Sequence, residues 1–180
     1  MKFYLRPVLR SEIFNKMKFK LLLFGTLWLG LSTVSFAQKS MPDVEVQDLE
    51  GKKVNLKDYV KEDKLTILSF WATWCKPCKS ELDAINSLYE EWQSEYDVEL
   101  VAVSIDDTRT SRKIIPMVAQ KGWPYTILTD TNQNVQRALN FRTIPQTFLV
   151  DGNGKIIYSH SGYQPGAEYE LEDKIKEARM

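Results

Sequence analysis

The chain has 180 residues, room for one ordinary domain with at most an appendage. With 24 Lys+Arg against 24 Asp+Glu, 43% apolar and 27% charged residues, it reads neither as a basic nucleic-acid binder nor as a disordered chain. Two cysteines and one histidine are too few for a disulfide-stapled mini-protein or for a closed four-ligand zinc site.

The zero net charge conceals two unlike pieces. Residues 1–37 carry Lys2, Arg6, Arg10, Lys16, Lys18 and Lys20 against Glu12 alone, a net of +5. An apolar run of 14 residues, 21–34, follows and ends in Ser35-Phe36-Ala37. A basic start, a short apolar core and a small-x-small ending predict a signal peptide over 1–37, cleaved after Ala37. The run falls short of the roughly 18–20 residues of a spanning helix. An uncleaved membrane anchor is the alternative. Met17 opens a more compact signal, so Met1 and Met17 both stand as starts. Residues 38–180 hold 18 basic and 23 acidic residues, a net of −5, in a domain of ordinary size.

Residues 38–43 read as a short loose lead-in and 44–180 as the domain. Residues 44–47 and 53–56, around a turn at 48–52, predict an entrance β-hairpin. The nearly continuous apolar run 65–71 (LTILSFW) predicts a buried central strand. Leu82, Ile85, Leu88, Tyr89 and Trp92 recur at helical spacing, predicting one helix over 76–92. Residues 98–105 give a second buried strand. Residues 110–121 read as a helix closed by Gly122, with Pro116 kinking it or displacing its start. A strand at 124–129 and a short helix at 134–139 follow. Strands at 146–150 and 155–160 flank Asp151-Gly152-Asn153-Gly154, a hairpin turn. A terminal helix covers 168–179. This alternation predicts an α/β layer structure: a central mixed sheet flanked by helices, with an antiparallel edge.

Both cysteines lie in Trp74-Cys75-Lys76-Pro77-Cys78, directly after a buried strand and opening a helix. At a helix N-terminus, free N–H groups and the positive dipole end stabilise a thiolate, which makes Cys75 the nucleophile. Cys78 stands one turn on, less exposed and within reach of a disulfide. Pro77 sits in the first turn, where its missing N–H does little harm. Lys76 adds a positive charge. A fixed structural bridge is the plainer alternative, yet a loop of two intervening residues constrains the unfolded chain little. Two thiolates holding Cu(I) is the other.

The segment FWATWCKPC, residues 70–78, resembles the active site of thioredoxin-fold oxidoreductases, more narrowly the exported bacterial TlpA/ResA-like group. The resemblance extends over 41–180: the entrance hairpin, an inserted strand–helix segment at 98–121, and Thr143-Ile144-Pro145 before a strand. It implies a thioredoxin-like fold and a redox-active Cys75–Cys78 disulfide with no other cofactor and no metal. It implies that Pro145 is a cis-proline beside the cysteines and that Ile144 exposes backbone to an extended substrate. Trp74 would offer an apolar docking face; Trp71 is shared between that role and core packing. Thioredoxin has a buried Asp six residues before the first Cys; here Ser69 stands there, which puts a proton relay through that site in doubt. Glu81 matches an acidic position of the group. Either it raises the thiol pKa or takes the Cys78 proton, or it is a solvated first-turn charge. His160 reads as structural, and Asp106 and Asp107 as loop charges.

These features imply a periplasmic thiol–disulfide oxidoreductase that reduces protein disulfides, re-reduced by a membrane thiol relay. Apocytochrome c and envelope proteins are the substrate candidates. A disulfide oxidase or isomerase, a peroxiredoxin-like peroxidase and a Cu(I)-binding module are the alternatives.

Overall fold

Two apolar runs make the centre of the sheet. In the computed structural model, which describes residues 39–180, β3 (Leu65–Trp71) is buried at every position. β4 (Val98–Ser104) is buried except at Glu99, whose carboxylate meets Lys64 at 2.7 Å. The two pair in parallel from Leu65 opposite Val98 to Trp71 opposite Ser104. Strands covered on both faces need such unbroken apolar sequence. β5 (Thr126–Thr129) adds in parallel to β4. The predicted entrance hairpin, β1 (Glu45–Gln47) and β2 (Lys53–Asn55), joins β5 antiparallel through Gln47 opposite Thr129. On the other side β6 (Gln146–Val150) runs antiparallel to β3, and β7 (Ile156–Ser161) antiparallel to β6. The order is β2-β1-β5-β4-β3-β6-β7.

The helices are α1 (Lys76–Asn86), α2 (Tyr89–Tyr96), α3 (Ile114–Lys121), α4 (Asn134–Leu139) and α5 (Ala167–Arg179). The single helix expected over 76–92 is two. Ser87 turns its hydroxyl back to the Ala84 carbonyl at 2.7 Å, the local bonding by which serine competes with helix. The break re-aims Tyr89, whose hydroxyl oxygen accepts from Leu100 N–H at 2.9 Å. Pro116 displaces the start of its helix. Residues Ser111–Lys113 form a 3₁₀ turn and α3 begins at Ile114, so Pro116 falls in the first turn, where no N–H is needed.

The lead-in at 38–43 is not loose where it is described. Met41 N–H bonds Gly154 O at 2.7 Å, Ile156 N–H bonds Lys39 O at 3.0 Å, and Met41 is buried. A short β-bridge, Ser40 to Lys155, fastens the entering chain to the β6–β7 turn. An apolar methionine there had a place in the core that its polar neighbours hid. The predicted signal peptide at 1–37 lies outside the described residues.

Trp71 is wholly buried and meets Trp123 edge to face at 5.1 Å, so it belongs to the core and not to a docking face. Phe70, on the opposite side of β3, packs on Phe141 and Phe148 at 4.5 and 6.0 Å. Asp97 closes α2 at φ 47°, and Arg179 of α5 donates to the carbonyls of Tyr96, Asp97 and Asp63 around it.

Candidate active site

The end of β3 delivers the chain into a tight turn. Cys75 N–H bonds Ala72 O at 3.0 Å, and Cys75 is the N-cap of α1. Its sulfur stands where a capping oxygen normally stands and accepts from Cys78 N–H at 3.3 Å. Cys75 and Cys78 are joined as a disulfide with Cα atoms 5.4 Å apart. Cys75 keeps 5% exposure and Cys78 none, so the sulfur of the first cysteine is the approachable one. Lys76 and Pro77 are exposed, with Pro77 in the first turn. Trp74 is 62% exposed, a large apolar surface immediately before the disulfide.

Asp106 holds this turn from below. It is fully buried and accepts from Thr73 N–H at 2.8 Å, Thr73 Oγ1 at 2.7 Å and Ser104 Oγ at 2.8 Å. Lys79, on α1, donates to Thr73 O at 2.9 Å. Both sides of the Thr73 peptide are therefore pinned two residues before Cys75. The expectation of a plain loop charge fails for Asp106. It holds for half-buried Asp107, whose carboxyl is kept down at about 2, chiefly by the Arg109 guanidinium.

Glu81 is not a solvated charge: it is 1% exposed. One turn after Cys78, it points at the sheet, where a row of side chains meets it. Ser69, Thr147 and His160 stand opposite one another on β3, β6 and β7. His160 Nε2 lies 2.5 Å from Glu81 Oε1, and the Thr147 hydroxyl donates to Oε2 at 3.1 Å. Ser69 Oγ lies 3.4 Å from that same oxygen. Ser69 thus supplies no charge of its own, and the carboxylate in this pocket comes from the helix. His160, expected to be merely structural, is its partner.

Pro145 precedes β6, whose first residue Gln146 pairs with Phe70 near the end of β3. This register brings residues 144–145 to the same edge of the sheet as the cysteines. The Ile144–Pro145 peptide bond is cis, Pro145 is buried and its carbonyl accepts from Gly162 N–H at 2.8 Å. Ile144 is half-buried. Among the described residues no group of three or more His, Cys, Asp or Glu is placed to hold a metal ion.

The sequence model of the AhpC/TSA family matches residues 37–159. The chain belongs to the AhpC/TSA family. Relatives narrow its place there. It is 35% identical over 138 residues to the thiol-disulfide oxidoreductase ResA of Bacillus thuringiensis subsp. konkukian, covering 77% of this chain and 76% of that one. The solution structure of an uncharacterized thioredoxin-like protein from Porphyromonas gingivalis is 45% identical, covers 77% of this chain and 91% of its own, and superposes with a TM-score of 0.69. The crystal structure of a putative thiol:disulfide interchange protein DsbE from Chlorobium tepidum is 27% identical, with 79% and 97% covered and a TM-score of 0.70. The fold is thus thioredoxin-like, and this family member is a thiol–disulfide oxidoreductase of the ResA/DsbE kind.

The sequence reading missed two groups of this oxidoreductase site, Asp106 and His160. Asp106 carried a signal: it directly follows a buried strand, where an uncompensated charge needs partners. His160 carried only its inward parity on β7, which it shares with Ile156 and Tyr158.

Proposed function

We propose that this oxidoreductase is an exported reductant of protein disulfides. The observation that carries its exchange chemistry is Cys75 as N-cap of α1, more accessible than its partner, with its sulfur against the Cys78 N–H. In the reduced enzyme that N–H and the helix dipole favour the Cys75 thiolate, with Lys76 adding its charge. The thiolate attacks a substrate disulfide, forming a mixed disulfide and releasing one substrate thiol. Cys78 then attacks Cys75, releases the second thiol and leaves Cys75–Cys78 oxidised. Two electrons pass to the substrate, and a dithiol donor must return them.

Trp74, Ile144 and Pro145 would receive the substrate segment: an apolar ring on one side and the backbone of half-buried Ile144, just before β6, on the other. Proteins of the cell envelope, apocytochrome c among them, are the substrates this reading favours, and a membrane thiol relay is the donor. The basic, apolar, small-x-small leader at 1–37 supports export to the periplasm. Disulfide oxidation or isomerisation is the second reading, since the same two sulfurs run either way.

A Cys78→Ser variant in envelope extracts keeps the attacking thiolate but cannot release the mixed disulfide. It should accumulate covalent adducts at Cys75 that dithiothreitol removes. No adduct, or equal adducts from Cys75→Ser, would defeat the proposal. A redox potential near that of strong oxidants, about −120 mV, would turn the direction to oxidation.

A further inference from the structure

The contact between His160 and Glu81 has a feature that assigns its proton. His160 Nε2 is 2.5 Å from Glu81 Oε1, while His160 Nδ1 is buried and meets no hydrogen-bonding group of the protein. A buried N–H without an acceptor costs more than a bare ring nitrogen beside aromatic carbon, and the Tyr158 ring lies 5.7 Å away. The tautomer that satisfies the pocket therefore carries its hydrogen on Nε2, aimed at Oε1. The Thr147 hydroxyl supplies Oε2. The carboxylate is oriented at both oxygens, on the helical face it shares with Cys78 three residues earlier.

We propose that His160 is a positioning residue for thiol–disulfide exchange: it donates Nε2–H to Glu81 and so presents a carboxylate that takes the proton of Cys78. The proposal rests on the reading above, in which Cys78 resolves the mixed disulfide. In that step Cys78 gives its proton to Glu81, and its sulfur bonds Cys75 Sγ. The bond between Cys75 and the substrate sulfur breaks, and its electron pair leaves with the substrate as thiolate. The proton stays on the Glu81–His160 pair until the departing thiolate or solvent takes it.

The surroundings hold few other proton carriers. Cys78 precedes Glu81 by three residues on α1, on the same helical face. Ser69 and Thr147 on β3 and β6 offer only hydroxyls. Tyr158 on β7 and Tyr163 beyond it feel the Glu81 charge, but both are pushed up to about 12. Burial is the first cause, followed by their bonds to Glu170 and Glu168. Neither changes charge in the neutral range.

Dithiobis(nitrobenzoate) tests this on the reduced full-length protein. Attack by Cys75 releases a first coloured thiol, and resolution by Cys78 releases a second. His160→Leu should slow the second phase about tenfold at neutral pH, because the carboxylate loses its N–H donor. The first phase should stay within about twofold, which also reports that the variant is folded. His160→Gln places an amide N–H at similar reach and should restore the second phase to within about threefold. In a Glu81→Gln background, His160→Leu should add no further slowing.

A second phase in His160→Leu at the wild-type rate overturns the proposal. So does a His160→Gln variant as slow as His160→Leu, or slowing that multiplies with that of Glu81→Gln. A wild type without any second phase refutes the exchange reading and this inference together; normal wild-type exchange with an indifferent His160 refutes this inference alone.

Discussion

Asp106→Ala should be among the most damaging single changes outside the cysteines. The carboxylate accepts from Thr73 N–H, Thr73 Oγ1 and Ser104 Oγ, all at 2.7–2.8 Å and all buried. A hydrogen bond to a charged group contributes about 1.5–3 kcal/mol. Two of the three donors are hydroxyls that can turn elsewhere, whereas the Thr73 N–H cannot. Removing a buried charge also returns its desolvation cost. The net loss should therefore fall below the sum of three bonds, at about 3–5 kcal/mol. Against a total of about 5–15 kcal/mol the variant remains folded but marginal. The second consequence is local. Thr73 is two residues before Cys75, so freeing its peptide loosens the N-cap and should slow the first phase of disulfide attack. Urea unfolding of wild type and variant, read with the m-value, gives the first number. Stopped-flow mixing of the reduced protein with dithiobis(nitrobenzoate) gives the second. A loss under about 1 kcal/mol with an unchanged first phase would refute the reasoning.

Other regions make independent predictions. A Cβ on Gly152 would lie 1.7 Å from the Glu62 carbonyl oxygen, so Gly152→Ala should cost about 1–3 kcal/mol in thermal or urea unfolding while exchange per folded molecule is unchanged. Arg179→Ala removes donors to three carbonyls at 2.6–3.1 Å and should lower stability by about 1–3 kcal/mol; an equally stable variant would mean that α5 is held by Leu171 and Ile175 alone. Asp107, held at about 2 by Arg109, is depressed from about 3.9 in the unfolded chain, so its stabilisation is complete above about pH 4 and fades as pH falls through 2. Asp107→Asn should thus be less stable than wild type at neutral pH, with the difference closing in acid; a pH-independent difference would contradict the assignment.

Much of the fold was legible because burial writes itself into local sequence. LTILSFW has the composition of a covered strand and is one, and Asn134–Leu139 and Gln146–Val150 stand where composition placed them. The long helix failed at Ser87, where one hydroxyl turned back on Ala84 outweighed the apolar spacing that continued to Trp92. The lead-in misread Met41, since a single apolar side chain among polar neighbours has no period to reveal its burial.

The cysteine pair and its place between strand and helix are properties of nine consecutive residues, so the sequence alone determined them, and the same residues ground the proposal that Cys75 attacks. What surrounds the pair is a matter of register. Glu81 meets Ser69, Thr147 and His160 across separations of 12, 66 and 79 residues. Their alignment exists only because β6 and β7 run antiparallel beside β3 with Ser69 opposite Thr147 and Thr147 opposite His160. A slip of one residue would turn that row to the other face of the sheet. Local sequence set the disulfide between strand and helix; strand order and register set the side chains that meet Glu81 one turn behind it.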